Sequence, residues 1–353
     1  MAVNLTTRDS EKILEKFSAE SYVKGNTSND YEFTSAQTIK VHTPIAVDLV
    51  DYTRSGNSRY GAMNEMQDMV QIMTLKNDKA LNVSRDAAND SDSAVKYTAG
   101  VIIKTEMEQV VAPLVDLKYF EKLSIDAGTV KSIAAPTKSN ICGFIDDAVE
   151  ILDDNNVPQE NRILYITSTN FKYIKQSDEF NKSDSLATKG ITKGVVGEYN
   201  GCKVIKLPKG RYPANFQFAV VQKGCTILPF KINKTKIYVD PINVDGVVVQ
   251  GHQYFDAFCL GSKNMGVVYA TTATKQANPT ITGGTGTITV TSASSNKILV
   301  TTDGTDPRFS STATQVATGV AFSMPAGTYV TKAVAYSATL AVSDVTSSTV
   351  TVS

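Results

Sequence analysis

The chain has 353 residues, and its 35 Lys plus Arg are matched by 35 Asp plus Glu, so the net charge is zero, without the basic excess of a dedicated nucleic-acid binder. With 42% hydrophobic and 20% charged residues it is a globular protein rather than a disordered one, long enough for two or three domains with cores of their own. No apolar run approaches the roughly 18–20 residues that span a bilayer, and the opening MAVNLTTRDSEKILEKF puts charges where a secretory signal needs its apolar stretch.

Residues 1–35 are amphipathic around Ile13, Leu14 and Phe17 and then polar, which reads as an arm. The stretch 38–85 alternates apolar and polar residues on either side of a polar, glycine-containing middle at 55–61, the pattern of a long two-stranded arm. Such a ribbon is marginal in water, so one that carries Met63, Met66, Met69, Ile72 and Met73 needs a surface to lie against. Unbranched thioethers refill irregular gaps, and these five residues, together with Ile13, Leu14 and Phe17, are the candidate contacts to neighbouring subunits.

Ile103, Met107, Val110, Val111, Leu114 and Val115 form a helical stripe, which predicts a long helix over 93–123 capped at Asp92 or Ser93. Pro113 lies inside it and removes a backbone donor, so a kink or an end is expected near Ala112. Ile141, Phe144, Ile145, Ala148, Val149 and Leu152 mark a second helix with Ser139 or Asn140 as cap. The run 162–167 (RILYIT) predicts a strand and Ser168-Thr169 the start of another helix. Asn200-Gly201 between strand-like runs is the signature of a type I′ hairpin, and further strands are expected at 216–221, 236–239 and 247–249. The first part of the chain is therefore α+β.

Composition changes near residue 277. From there to the end only six residues are charged, Lys297, Asp303, Asp306, Arg308, Lys332 and Asp344, and short Thr- and Val-rich alternating runs are separated by turn signals. A β-sandwich of about seven strands is predicted over 277–353.

The residues of enzyme chemistry are scarce. His42 and His252 are the two histidines, and Cys142, Cys202, Cys225 and Cys259 stand singly, so no zinc set is formed and the cysteines read as reduced, buried hydrophobes. His252, near Tyr254 and Asp256, has no nucleophile to assist and reads as structural. Asp303, Gly304, Asp306 and Pro307 in DGTDP are turn chemistry first, since two loop carboxylates fall short of the six to eight oxygens roughly required by calcium. Neither a catalytic residue, a metal nor a cofactor is assigned.

The middle of the chain nevertheless resembles a known family. NVPQENRILYIT, NFKYIKQSDEF, GVVGEYNGCKVIKLP and GHQYFDAFCLGSKNMGVVYA, in this order, with YTRSG and MTLKNDKALNVSRDA before them, are similar across 36–272 to tailed-bacteriophage major capsid proteins of the Hong Kong 97 type. The resemblance implies an N-terminal arm at 1–35, an extended loop at 38–88, a spine helix and peripheral domain from 93–137 and 226–272, and an axial domain from 138–225, together a capsid core of 1–276. ILVTTDGTDPRFSSTATQV and MPAGTYVTKAVAYSATLAVSDV resemble the small immunoglobulin-like sandwich at the C-terminus of chitobiases, here at 277–353, which on capsids projects outward as a decoration.

By this resemblance the chain is expected to be a structural protein, not an enzyme, that assembles with itself into pentamers and hexamers of an icosahedral head shell around double-stranded DNA, which it does not bind sequence-specifically. The resemblance also implies a separate scaffolding protein and a portal as partners, a host-surface or glycan contact for the outer domain, no membrane, and synthesis in the bacterial cytoplasm followed by a place in the virion. In this family Pro113 would be a bend site of the spine helix. An encapsulin-type nanocompartment and a carbohydrate-binding β-sandwich protein are the alternatives, the second opposed by the absence of Trp.

Overall fold

Thr38–Pro44 (β1) and Asp68–Thr74 (β2) pair antiparallel, with Ile39 opposite Met73 and Val41 opposite Gln71. The computed structural model to which they belong describes residues 20–31, 33, 36–47, 49–55, 59–61, 63, 65, 66, 68–92, 98–177, 195–293 and 297–353. One face of this ribbon is anchored: Val41, Met73 and Leu75 are buried against Phe33, Ile227, Phe258 and Leu260, with the Phe33 and Phe258 rings stacked at 5.9 Å. The next strand, Asn77–Asp86 (β3), leaves the ribbon. It pairs instead along its full length with Gly246–Phe255, from Asn77 opposite Phe255 to Asp86 opposite Gly246. The two-stranded arm expected over 38–85 is therefore shorter, because period-two alternation identifies a strand but not its partner.

After the short helix Ala87–Asp92 (α1) comes a long helical run made of Ala99–Glu106 (α2), a π turn at Met107–Val111 and Ala112–Asp126 (α3). Its N-cap is Thr98, whose side chain accepts from the Val101 N–H, rather than Asp92 or Ser93; Ser93 itself lies outside the described residues. The helix neither ends at Ala112 nor breaks at Pro113. Pro113 offers no N–H to the carbonyl four residues back and its ring crowds that carbonyl. The preceding turn is wide instead, the Ala112 N–H reaching back five residues to the Met107 carbonyl, and the helix continues beyond the fault. No residue of the run before Ala112 is buried, whereas Val115, Asp116, Tyr119, Phe120, Leu123 and Asp126 are.

Thr129–Ser132 (β4), Ile141–Asp154 (α4), Arg162–Thr167 (β5), Ser168–Gln176 (α5), Val195–Tyr199 (β6), Cys202–Leu207 (β7) and Phe216–Gln222 (β8) follow. Helix α4 starts where its apolar stripe required, with Asn140 at the N-cap position, and Asn200 and Gly201 both have positive φ (46° and 72°) in the turn between β6 and β7. Beyond them lie Thr226–Ile227 (β9), Phe230–Val239 (β10), Gly246–Phe255 (β11), Phe258–Cys259 (β12) and Val267–Thr271 (β13). The main sheet has the order β4-β13-β8-β5-β7-β6, and a second has the order β10-β11-β3. Every residue of β5 is buried, which explains why RILYIT shows no alternation: both sheet faces are covered. Ile141, Ile145, Ala148 and Leu152 of α4 and Phe171 and Ile174 of α5 cover one face; Tyr119, Phe120 and Leu123 of α3 cover the other. Strands β4 and β13, from segments the resemblance assigned to the peripheral part, hydrogen-bond into this sheet.

Seven strands follow among the described residues: Thr280–Gly284 (β14), Thr287–Thr291 (β15), Lys297–Thr301 (β16), Thr314–Val316 (β17), Ala321–Ser323 (β18), Gly327–Tyr336 (β19) and Thr346–Val352 (β20). They form sheets β14-β15-β18 and β17-β16-β19-β20 around Ile288, Val290, Ile298, Val300, Ala333 and Val350. Gly128 marks a close backbone approach just after α3: its N–H donates to the Asn264 carbonyl at 3.0 Å, and a Cβ there would sit 2.4 Å from that same oxygen. Gly128→Ala is expected to lower the stability of the chain by about 1–3 kcal/mol in urea denaturation. Gly143→Ala, on α4 with open space around it, should raise stability by about 0.5–1 kcal/mol through helix propensity.

Candidate subunit interface

Beyond the anchored base of the ribbon the chain turns outward. The segment between β1 and β2 has a local frame, with the Thr53 N–H donating to the Arg59 carbonyl at 3.1 Å and the Tyr52 and Tyr60 rings edge-to-face at 5.1 Å. Its apolar residues are in water: Leu49 and Met63 are fully exposed, and Ile45, Val47, Val50, Tyr52, Tyr60 and Met66 are exposed as well. A cluster of this kind at the end of a protruding segment marks an interaction surface.

The expected interface residues separate by strand parity. Ile72 is exposed and points away from the core. Met69 is half-buried, and Met73 is fully buried inside its own chain, opposite Ile39. Met63 and Met66 occupy the outer part, whereas Ile13, Leu14 and Phe17 lie outside the described residues. The exposed Ile45, Val47, Leu49 and Val50 were not singled out by the sequence, although IKVHTPIAVDLVDY places apolar residues on both faces where no second sheet is available. A smaller apolar tip lies at the turn between β10 and β11, with Ile237, Tyr238, Val239 and Ile242 exposed.

Two further features lie along the long helix. Met107, Val111 and Ala112 of the π-turn region line a cavity of about 430 Å3 together with Phe230 and Gln253. Gln253 is buried, and its Oε1 accepts no hydrogen bond among the described residues. At the inner end of this cavity the N-terminal segment is clipped to the helix. Asp116, fully buried on α3, accepts from Ser21 Oγ at 2.5 Å, from the Tyr22 N–H at 3.3 Å and from Arg211 Nη1 at 2.7 Å, and the guanidinium lies 5.0 Å from the Tyr22 ring centre. Burial pushes the Asp116 carboxyl above its ordinary pKa, against the hydrogen bonds from Ser21, Arg211 and Tyr22.

The remaining polar candidates make local contacts. His42 pairs with Asp68 across the ribbon at 2.5 Å and His252 with Asp78 across β11 and β3 at 2.6 Å, both at the surface. The four cysteines are free thiols and buried; burial pushes Cys202 and Cys225 up to about 11 and raises Cys259 well above its ordinary value. No group of three or more His, Cys, Asp or Glu able to hold a metal occurs among the described residues, and no helix there is long and apolar enough to cross a membrane. In the DGTDP turn Gly304 has φ 77°. Asp303 accepts from the Thr305 N–H (3.0 Å), Thr305 Oγ1 (2.5 Å) and Thr312 Oγ1 (2.6 Å). Burial opposes ionisation of Asp303, but these hydrogen bonds prevail and hold its carboxyl below the usual range. Asp306 accepts from the Arg308 backbone at 3.0 Å and from its guanidinium at 2.7 Å.

No protein-family model matches the sequence, and no curated protein does. Solved structures match the fold. A chain of Mycobacterium phage Che8 is similar with a TM-score of 0.62 at 14% identity, over 75% of this chain and 96% of that one. A chain of the bacteriophage PhiM1 mature capsid gives 0.59 at 13%, over 76% and 92%, and one of the cyanophage P-SCSP1u capsid 0.57 at 11%, over 75% and 92%. The α+β class and the Hong Kong 97-type capsid fold read from the sequence are thus borne out.

Asp116→Ala takes the buried carboxylate from Arg211 and the N-terminal segment, and is expected to lower stability by about 3–5 kcal/mol, read from the urea midpoint of the full chain.

Proposed function

We propose that this chain is a major capsid (coat) protein of a tailed bacteriophage, a structural protein that assembles with itself into the pentamers and hexamers of an icosahedral shell around packaged double-stranded DNA. The observation that carries the reading is the apolar outer segment of the ribbon, from Ile45 to Met66, exposed on a chain whose fold is that of phage capsid subunits. Nothing among the described residues of a single copy covers it, and a neighbouring copy would. Weak contacts of this kind, repeated around closed symmetry, give a shell that scarcely dissociates.

In this reading Met63, Met66, Met69 and Ile72 contact neighbours, while Met73 holds the ribbon to its own subunit. Residues 1–35 form the arm, 38–88 the extended loop, 93–137 and 226–272 the spine and peripheral part, 138–225 the axial domain, and 277–353 an immunoglobulin-like outer domain that meets the host surface or its glycans. A separate scaffolding protein and a portal complete the assembly, and the location is the virion. Zero net charge suits a container that must hold DNA densely and release it.

The test is expression of the full chain, alone and with its neighbouring scaffold gene, followed by light scattering and negative-stain electron microscopy. Closed shells or capsomer rings tens of nanometres across, roughly the scale of many standard-sized interfaces closing on themselves, are expected; a monomer under both conditions overturns the reading. Met63→Asp with Met66→Asp should abolish shells while leaving the subunit's thermal unfolding unchanged, and normal shells from this variant would remove those two residues from the interface. Pro113→Ala restores the missing donor next to the π turn, and we expect it to shift the temperature of shell expansion more than the stability of the free subunit.

A further inference from the structure

We propose that the turn at 303–311 is a latch through which the C-terminal sandwich clamps the base of the ribbon to the end of the long helix, so that sandwich, helix and ribbon move as one piece. This goes beyond the capsid reading, in which the sandwich is an outer decoration, and rests on contacts within one chain.

Residues of the turn engage three different parts of the core. Arg308 is nearly inaccessible, at 4% exposure of its side chain, and is held in place by Asp306 through Nε at 3.1 Å and Nη2 at 2.7 Å. Its Nη1 donates to the Ala127 carbonyl at 2.5 Å. Ala127 is the C-cap of α3, so a fixed positive charge sits where the helix leaves its last carbonyls unsatisfied and its dipole is negative. Asn264 closes the same corner, donating to Asp306 at 3.3 Å while its own carbonyl accepts from Gly128.

Phe309 is buried in the aromatic core beside α3, and it lies so close to Gly261 that a Cβ there would fall 2.8 Å from it. Ser310 and Ser311 then run beside β2: Ser310 bridges to Gln71, and the Ser311 N–H donates to the Val70 carbonyl at 3.2 Å. Gln71 is itself buried, donating to the Cys259 carbonyl at 2.9 Å and accepting from the Gly261 N–H at 2.8 Å. The turn thus occupies the free edge of β2 at the ribbon's base, giving a marginal two-stranded unit a third partner where it enters the core.

The sandwich is not free to swing away. Val334 and Val342 are buried in the same cluster as Phe309, Tyr119 and Tyr269, with Leu299, Tyr336 and Val345 packed against it. The connection is pinned by the Gln276 N–H to the Ala341 carbonyl (2.9 Å), the Ala341 N–H to the Thr274 carbonyl (2.9 Å) and the Lys275–Asp344 ion pair.

The latch is tested by hydrogen–deuterium exchange with mass spectrometry on the unassembled full chain. Two variants are used: Arg308→Met, which keeps the apolar bulk, and Ser311→Pro, which deletes one exposed donor and leaves the buried charge in place should the first variant fail to fold. Peptides covering β1 and β2 are expected to exchange at least about tenfold faster, equivalent to about 1.4 kcal/mol of local opening, while those covering β5 and β16 stay within twofold of the parent. Unchanged exchange in β1 and β2 overturns the proposal. So does equal acceleration in β5, which would make the turn a general contributor to stability. Either result leaves the shell-forming reading standing, because exchange is read before assembly.

Discussion

One aromatic cluster is the constraint on which the rest depends. Val23 from the N-terminal segment, Tyr119, Phe120 and Leu123 from α3, Tyr165, Phe216 and Tyr269 from the main sheet, and Phe309, Val334 and Val342 from the C-terminal sandwich are buried against one another. Phe120 meets Tyr165 edge-to-face at 5.2 Å and Phe216 at 5.1 Å, contacts that add to the burial of the rings. Because sequence-distant segments share this core, none of them can be repositioned without disturbing the others. The helix that enters it has two kinds of environment along its length. Its second half is locked by the cluster, and its first half, before Ala112, has no buried residue, so the π turn and Pro113 lie at the boundary between a fixed and a freer segment.

That boundary also divides the work of the molecule. On the fixed side are the main sheet, α4, α5 and the docked sandwich, where close packing and a buried Asp116–Arg211 pair maintain a single shape. On the other side are the segment between β1 and β2, the tip between β10 and β11, and the flank of the helix that borders the cavity at Gln253. The exposed apolar residues of the two tips are those a solitary globular protein would be expected to cover. A packed body with exposed apolar extensions is the physical basis on which the proposed self-assembly rests.

Much of the fixed side was legible in the sequence. Helix α4 followed from an apolar stripe of spacing three and four, β5 from a short apolar run, and the β6–β7 turn from Asn-Gly, all signals contained within a dozen residues. The rest was not, for reasons that differ from case to case. Strand β3 looks like a continuation of the ribbon, and only its register with β11, some 170 residues onward in the chain, reveals otherwise. Thr98 and Ser93 are equally good caps by type, and the choice depends on where the helix packs. Met73 and Met66 are the same residue on one stretch, yet the first lies on the buried face of β2 and the second, before that strand begins, is exposed. Arg308 reads in the sequence as one of six charges in a polar domain, and its significance lies in a carbonyl 181 positions away.

The four buried thiols carry a separate consequence. A cysteine reacts as its thiolate, and at Cys202, Cys225 and Cys259 burial keeps the proton on the sulfur at any pH near neutrality. All four side chains are also sealed from solvent. The folded subunit is therefore expected to react slowly with alkylating reagents, so that the appearance of a labelled sulfur would report that the interior has opened, with the native cysteines as a gauge of integrity requiring no introduced probe.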